Sequence, residues 1–406
     1  MSAKTSSTLT VVLVVLIVVA GVVGYFAGSS AVPPPKTVTI TTTVGGPAVS
    51  PTTVTVTQTI PTTITVTATP AAEKVYRWRV PVSRLPGDPL YPFFKLWAEL
   101  VKNMSNGRLI IEIYAPGELF PVGQTLDAVA RGTVPAAVQY LYWVAQDPVQ
   151  GFSYGAPGPL RTPYEVWLYQ KVIEDIIAKH VEAVGVKYIG PVMFTAAEPF
   201  QCRFPTRSLD DLKGKVVRSG GISAAFFELL GAKTVTLPVG EIYTALQQGA
   251  VDCIEWSDYL SNYKLGYHEV AKYFIDIPSN GTLHAEAFTD YLLVNPKAWE
   301  ELPDDLKAVI KASIDWIFFN AGYQIYKFNE IGKELVLKAG ATIITLPPGD
   351  VEKTIDIAVK VRVDLAKKHP DAAELARRTA KFWREMGYTY WADKLEAALK
   401  AEGLWK

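Results

Sequence analysis

An α/β fold behind an N-terminal membrane anchor is the expectation for this chain, and three observations predict it. Short β-branched runs alternate with helical runs between Asp210 and Trp256, the pattern of a parallel sheet. Long helical patterns fill the C-terminal part. An uncharged, apolar stretch runs from Leu9 to Ala27. The chain has 406 residues, enough for two lobes once the N-terminal tail is set aside.

Residues 1–8 read as a cytoplasmic tip. The nineteen residues of 9–27 are almost all Val, Leu, Ile, Ala and Gly. At ~1.5 Å per residue they span ~28 Å, enough to cross a bilayer. Lys4 is the one charged side chain before them, which keeps the N-terminus inside and exports the rest. A cleaved signal peptide is the rival, but its apolar core is shorter as a rule. No cysteine lies nearby to carry a lipid. Residues 28–72 are a Thr, Val and Pro spacer, as in TTVTVTQTIPTTITVTATP. Pro51, Pro61 and Pro70 interrupt the alternation, and bulky apolar residues are lacking. A stiff, extended stalk is expected, with threonines open to O-linked sugars. The folded domain is expected over 73–406.

Within that domain, Thr162 to Val184 suits a helix with Thr162 as N-cap and Pro163 at the first position. Lys215 to Val217 reads as a buried strand, followed by Arg218 and the turn-forming Gly220 and Gly221. Ser223 to Leu230 suits a helix, capped by Ser223 and stopped at Gly231. Thr234 to Leu237 is a second strand, Glu241 to Gln248 a helix, and Val251 to Ile254 a third strand that ends at Glu255 and Trp256. Pro303 to Leu337 is one long helix or two. Its aromatics, Trp316, Phe318, Phe319, Tyr323 and Tyr326, read as core packing. Val351 to Lys368 and Ala372 to Lys400 complete the helical part.

Ligands of parallel α/β sheets sit at the carboxyl ends of strands, where Arg218 and Glu255 both fall. A guanidinium matches a carboxylate with two parallel hydrogen bonds. The plainer reading of Arg218 is a surface salt bridge, and that of Glu255 a pair with a nearby lysine. Glu255 would repel a ligand carboxylate unless both share a hard cation through oxygen ligands.

The words SLDDLKGKVVR, GEIYTALQQGAVD and PKAWEELPDDLKAVI, together with IEIYAPGEL, FPVGQTLDAVARGTV and YLYWVAQDPVQGF, occur in the order seen in a known family. Over Tyr76 to the late three-hundreds the chain resembles the solute-binding subunits of TRAP transporters, and among them the 2-oxo acid and lactate binders. That resemblance implies a two-lobe, periplasmic-binding-protein-like fold with a hinge and long bracing helices. It implies that Arg218 holds a small carboxylate, and that Glu255 and the Trp256 carbonyl hold Ca2+ or Na+ bridging to it. Tyr142, Trp143 and Trp256 would line the cleft. His284 would donate to the ligand or line the hinge. The segment PVMFTAAEPFQCRF departs from the pattern: the family's cation-holding amide has no clear equivalent, and Glu198 is the nearest candidate. A dicarboxylate or a sugar acid is the alternative ligand. The expected partners are membrane subunits of a TRAP transporter. In some members a terminal helix packs on a second copy, and Trp383, Tyr388, Tyr390 and Trp391 would suit such a homodimer. A monomer is equally consistent.

Composition narrows the classes further. There are 40 basic and 40 acidic residues, with no basic block to bind nucleic acid. The four histidines, His180, His268, His284 and His369, show no metalloenzyme spacing. No Walker loop is present, so an enzyme is not expected and no organic cofactor is implied. A sensing ectodomain would need a cytoplasmic signalling domain, and about eight residues precede the apolar segment. Cys202 and Cys253 either pair outside the cell or remain buried thiols. The domain is expected outside the membrane, extracellular or periplasmic, on a single-pass anchor.

Overall fold

The structure, a computed structural model, describes residues 74–141, 147–152, 157–195, 199–276 and 288–406. The expected tip, anchor and stalk at 1–72 lie outside the described residues. No described helix is long and apolar enough to cross a membrane.

β1 (Tyr76–Pro81) and β2 (Leu109–Tyr114) pair in parallel around α1 (Tyr91–Met104). α1 buries Tyr91, Phe94, Trp97 and Val101, an apolar stripe at helical spacing. α2 (Thr125–Ala130) leads into β3 (Ala136–Gln139). α3 (Pro163–Glu182) starts as its sequence dictates. Thr162 accepts from the Glu165 amide while the Glu165 side chain reaches back to the Thr162 amide, and Pro163 opens the helix. β4 (Lys187–Thr195) then pairs with β10 (Phe288–Val294), which lies antiparallel between β3 and β4.

The second sheet holds β5 (Phe200–Cys202), β6 (Val216–Arg218), β7 (Lys233–Val235), β8 (Cys253–Ile254), β9 (Tyr273–Asp276) and β11 (Thr342–Thr345). Its order is β11-β9-β5-β8-β6-β7. β6 is parallel to β7 and β8, and β9 to β11, as the strand and helix alternation predicts. β5 is the exception, running antiparallel in the middle against β8 and β9. The chain passes from the first sheet to the second between β4 and β5, and returns between β9 and β10. α4 (Gly221–Leu229), α5 (Ile242–Gln248), α6 (Tyr259–Lys264) and α7 (Tyr267–Val270) connect the second sheet's strands.

After α8 (Pro296–Glu300), α9 (Asp304–Lys338) is one continuous helix of 35 residues. It packs on β4 of one lobe and on α6 of the other, so one rod braces both. α10 (Pro348–Ala366), α11 (Pro370–Glu385) and α12 (Thr389–Ala401) complete the fold.

Several expected boundaries move for physical reasons. α4 begins two residues before Ser223, with Gly220 at the cap, and Ser223 is buried inside the helix. β7 stops at Val235, because the next residues turn back: Thr236 Oγ1 donates to the Ser219 carbonyl, and the Leu237 carbonyl faces Arg218. The run expected as one helix over 372–400 breaks at Gly387, whose φ of 87° ends α11. The Tyr388 amide then donates to the Trp383 carbonyl, closing the turn. Trp383 and Trp391 meet edge to face inside the core, and Tyr388 donates to Glu165. Of the four aromatics expected on a subunit surface, Tyr390 alone is exposed. On α9, Phe318 is core as expected, whereas Trp316, Tyr323 and Tyr326 are exposed. Cys202 and Cys253 form a disulfide between β5 and β8, with both side chains fully buried.

Candidate functional site

Arg218 ends β6 and pairs in register with Ile254 of β8 and Val235 of β7. The side chain is 4% exposed. Nε and Nη2 donate to the Leu237 carbonyl at 3.2 and 2.9 Å, and Nη1 donates to the Glu255 carbonyl at 3.0 Å. These three bonds use three of the five guanidinium N–H groups, and both acceptors are neutral carbonyls. Among the described residues no carboxylate lies within 4.0 Å of this cation. A buried charge without a counter-charge is costly.

Glu255 follows β8 and is 1% exposed. Its amide donates to the Arg218 carbonyl at 3.2 Å. Its carboxylate does not pair with Arg218; Oε1 accepts from Ser219 Oγ at 2.9 Å and from the Gly220 amide at 3.4 Å. Arg218 and Glu255 are thus both buried, and neither lies at the surface. Ca2+ or Na+, the ions expected from the sequence, want hard oxygen ligands. The Glu255 carboxylate and the carbonyl of the adjoining Trp256 supply that donor type from one strand end, so these residues fit part of such a shell.

The Trp256 indole lies against two guanidiniums, with Arg218 at 5.3 Å and Arg84 at 5.2 Å from its ring. Arg84 was not singled out from sequence. It follows β1, is fully buried, and donates from Nη1 to Ser257 Oγ at 2.8 Å. Asp88 lies 3.5 Å away and Asp290 4.0 Å. Because Arg84 follows a strand of the first lobe and Ser257 follows β8 of the second, this bond ties the two lobes beside Arg218. Ser261 Oγ makes a second tie, to Asp88 at 3.1 Å and to Asp258 at 2.5 Å. Burial, and then the Asp88 carboxylate, push Asp258 up to about 6. A related signal was present for Arg84: it stands three residues past β1, before the Pro86-Gly87 turn, as Arg218 stands before Gly220 and Gly221.

Tyr142, Trp143, Glu198 and His284, the other expected ligand or cation residues, lie outside the described residues. The structure therefore brings together Arg218, Glu255 and Trp256 from that set. Tyr140, just before the expected aromatic pair, is buried with its ring 5.8 Å from the Arg84 guanidinium.

One grouping of metal-ligand types exists elsewhere among the described residues: His180, His369 and Asp371. Its hydrogen bonds make it a brace. His180 faces Asp147 from Nδ1 at 2.7 Å and Asp371 from Nε2 at 2.8 Å. The Asp371 amide donates to His369 Nδ1 at 3.1 Å, which leaves the ring proton of a neutral His369 on Nε2. These contacts hold the cluster together through its own side chains and main chain.

Two α/β lobes joined by crossing strands, with a buried arginine at a strand end, define a solute-binding protein. A model of the bacterial extracellular solute-binding protein family 7 (DctP) matches residues 83–367. The chain belongs to that family.

A monocarboxylate 2-oxoacid-binding periplasmic protein of Nostoc is 30% identical over 239 residues, 58% of this chain and 65% of that protein. The match thus spans just under two thirds of that relative's length. A C4-dicarboxylate-binding periplasmic protein DctP of Shewanella loihica is 30% identical over 151 residues, 36% of this chain and 40% of its own. Among solved structures, a TRAP periplasmic solute-binding protein of Pseudoalteromonas atlantica with bound sodium and pyruvate superposes with a TM-score of 0.71 at 23% identity. It covers 79% of this chain and 98% of that one. A Colwellia psychrerythraea homologue with bound calcium and pyruvate gives the same score, identity and coverage.

Proposed function

We propose that this chain is the extracytoplasmic receptor of a TRAP transporter, and that it captures a small monocarboxylate of the 2-oxo acid or lactate type together with Na+ or Ca2+. The observation that carries the proposal is Arg218: a buried guanidinium positioned by neutral carbonyls, with two N–H groups left over by that count of five less three. A carboxylate takes those two donors as a fork. A cation held by Glu255 and the Trp256 carbonyl lets the ligand approach the Glu255 carboxylate. Trp256 provides an apolar wall. Tyr142, Trp143 and His284 complete the lining in this reading, and Glu198 adds to the cation shell.

A monocarboxylate is favoured over a dicarboxylate because the second arginine of the site, Arg84, already faces Asp88, Asp290 and Ser257. The relatives that bind 2-oxo acids and pyruvate support the ligand class. The cargo passes to membrane subunits, and residues 9–27 and 28–72 tether the receptor on a stalk. A homodimer is compatible with the exposed Tyr390 but is not required.

The test is a thermal-shift screen of 2-oxo acids, hydroxy acids, dicarboxylates and sugar acids, each with and without calcium and sodium. A shift with pyruvate or lactate that grows with the cation supports the proposal. A shift confined to dicarboxylates or sugar acids redirects it.

A further inference from the structure

The strand that leads into Glu255 and Trp256 is the shortest in its sheet, and one covalent bond ties it to its neighbour. β8 has two residues, Cys253 and Ile254. On one side it pairs with β6, Val217 opposite Cys253 and Arg218 opposite Ile254. On the other it meets β5 through two pairs, Gln201 with Ile254 and Cys202 with Cys253. The second of those pairs is the disulfide, with Cα atoms 4.0 Å apart. So short a joint in the middle of a sheet offers few backbone bonds to hold its register. A slip by one residue would turn Glu255 and Trp256 to opposite faces.

We propose that the Cys202–Cys253 disulfide is a positioning element of the ligand site, holding the Glu255–Trp256 strand end against Arg218. This rests on the reading of Arg218, Glu255 and Trp256 as that site. The covalent tie stands two residues before Glu255. From there the chain runs directly into the contacts that align the site: the Glu255 amide on the Arg218 carbonyl at 3.2 Å, and Arg218 Nη1 on the Glu255 carbonyl at 3.0 Å. The next ties back are at Asp252: its amide donates to the Val216 carbonyl at 2.7 Å, its carbonyl accepts from the Arg203 amide at 2.9 Å, and its carboxylate accepts from the Val216 amide at 2.9 Å. The cystine itself lies in the core with Phe200, Leu212, Val217 and Phe226, out of reach of reductant in the folded protein. Its role is therefore constant alignment of the strand, and an exposed redox switch does not fit.

The experiment compares wild type with Cys202→Ala/Cys253→Ala. Calorimetry with pyruvate and calcium measures affinity, and hydrogen exchange by mass spectrometry follows peptides covering 214–221 and 250–258 without ligand. Leu395→Ala, a buried position of α12 remote from the site, serves as a destabilised control. The expected result is at least about tenfold weaker binding, the scale of one lost charge-assisted hydrogen bond, with the control keeping wild-type affinity at lower Tm. Affinity within about twofold of wild type would overturn the proposal, however far Tm falls. If wild type binds none of the carboxylates tried, the functional reading fails, and exchange decides the alignment claim: faster exchange at 250–258 supports it, unchanged exchange overturns it. Should the double alanine variant not fold, Cys202→Ala/Cys253→Val restores most of the lost volume and is read in the same way.

Discussion

The Arg218 guanidinium is held by main-chain carbonyls, with no carboxylate partner among the described residues. An acidic side chain in their place would give the guanidinium its counter-ion and leave nothing for a ligand to supply. Glu255 complements this: its carboxylate is engaged by Ser219 and Gly220, on the side away from a salt bridge with Arg218. Glu255→Gln removes one negative charge from the cation shell while keeping the shape. It is expected to weaken the cation's effect on ligand binding by about tenfold or more, and calorimetric titrations of ligand at stepped calcium concentrations measure that. An unchanged calcium dependence would remove Glu255 from the shell. A separate residue-scale effect belongs to Asp371. Hydrogen bonds from Lys179 first, and then His180, lower its carboxyl from 3.8 to about 2. A lowered acid stabilises the fold above its ordinary value and loses that contribution as pH falls through the folded value. Asp371→Asn should thus be less stable than wild type near pH 5, by at most about 1 kcal/mol for so exposed a pair. The gap should close as pH approaches 2, and Tm measured across that range checks it. That Arg218, Glu255 and Trp256 come together was legible because Arg218 ends one strand of recognisable pattern and the other two follow the next. Arg84 carried a related mark but stood outside the stretch where alternation was clearest. Its role depends on a contact 173 residues away, which no local pattern encodes.

At the scale of elements, local chemistry was legible where it is local. The Thr162, Pro163 and Glu165 start of α3 is a capping box written in four consecutive residues. The length of α9 was legible up to one question, whether it breaks, because no proline interrupts it. The break between α11 and α12 at Gly387 was passed over: apolar periodicity continues through the glycine, and only its positive φ ends the helix. The antiparallel β5 was beyond local reading, since strand direction is set by which sheet the chain has just left. α9 also carries the tightest contact between the bracing rod and the site. At Gly332 an added Cβ would stand 2.2 Å from the Leu260 amide nitrogen and 2.4 Å from the Tyr259 carbonyl carbon. Both are backbone atoms of α6, which begins just after Trp256, Ser257 and Asp258, so neither can step aside alone. Gly332→Ala is expected to destabilise by about 1–3 kcal/mol or more and to weaken ligand binding as well, because α6 must shift. A thermal melt paired with calorimetry separates the two effects. Wild-type stability in this variant would show that the close approach of α9 to α6 is not required.

For the molecule as a whole, three sheets form two lobes, and one long helix packs on both. The bonds from Arg84 to Ser257 and from Ser261 to Asp88 link the lobes where Arg218 and Trp256 meet. The proposed ligand site and the lobe contact thus share one place. The fold class and the two-lobe plan followed from strand and helix alternation, length and resemblance. The orientation of the lobes did not, because it depends on buried polar ties between residues far apart in sequence. The central claim is that Arg218 holds the carboxylate of a small organic acid. Calorimetric titration of pyruvate and lactate into wild type and Arg218→Ala, with calcium or sodium present, tests it most directly. The account predicts saturable wild-type binding and a loss of about 2–5 kcal/mol in the variant, the cost of truncating one partner of a buried charge pair. Equal affinity in the two proteins would contradict it.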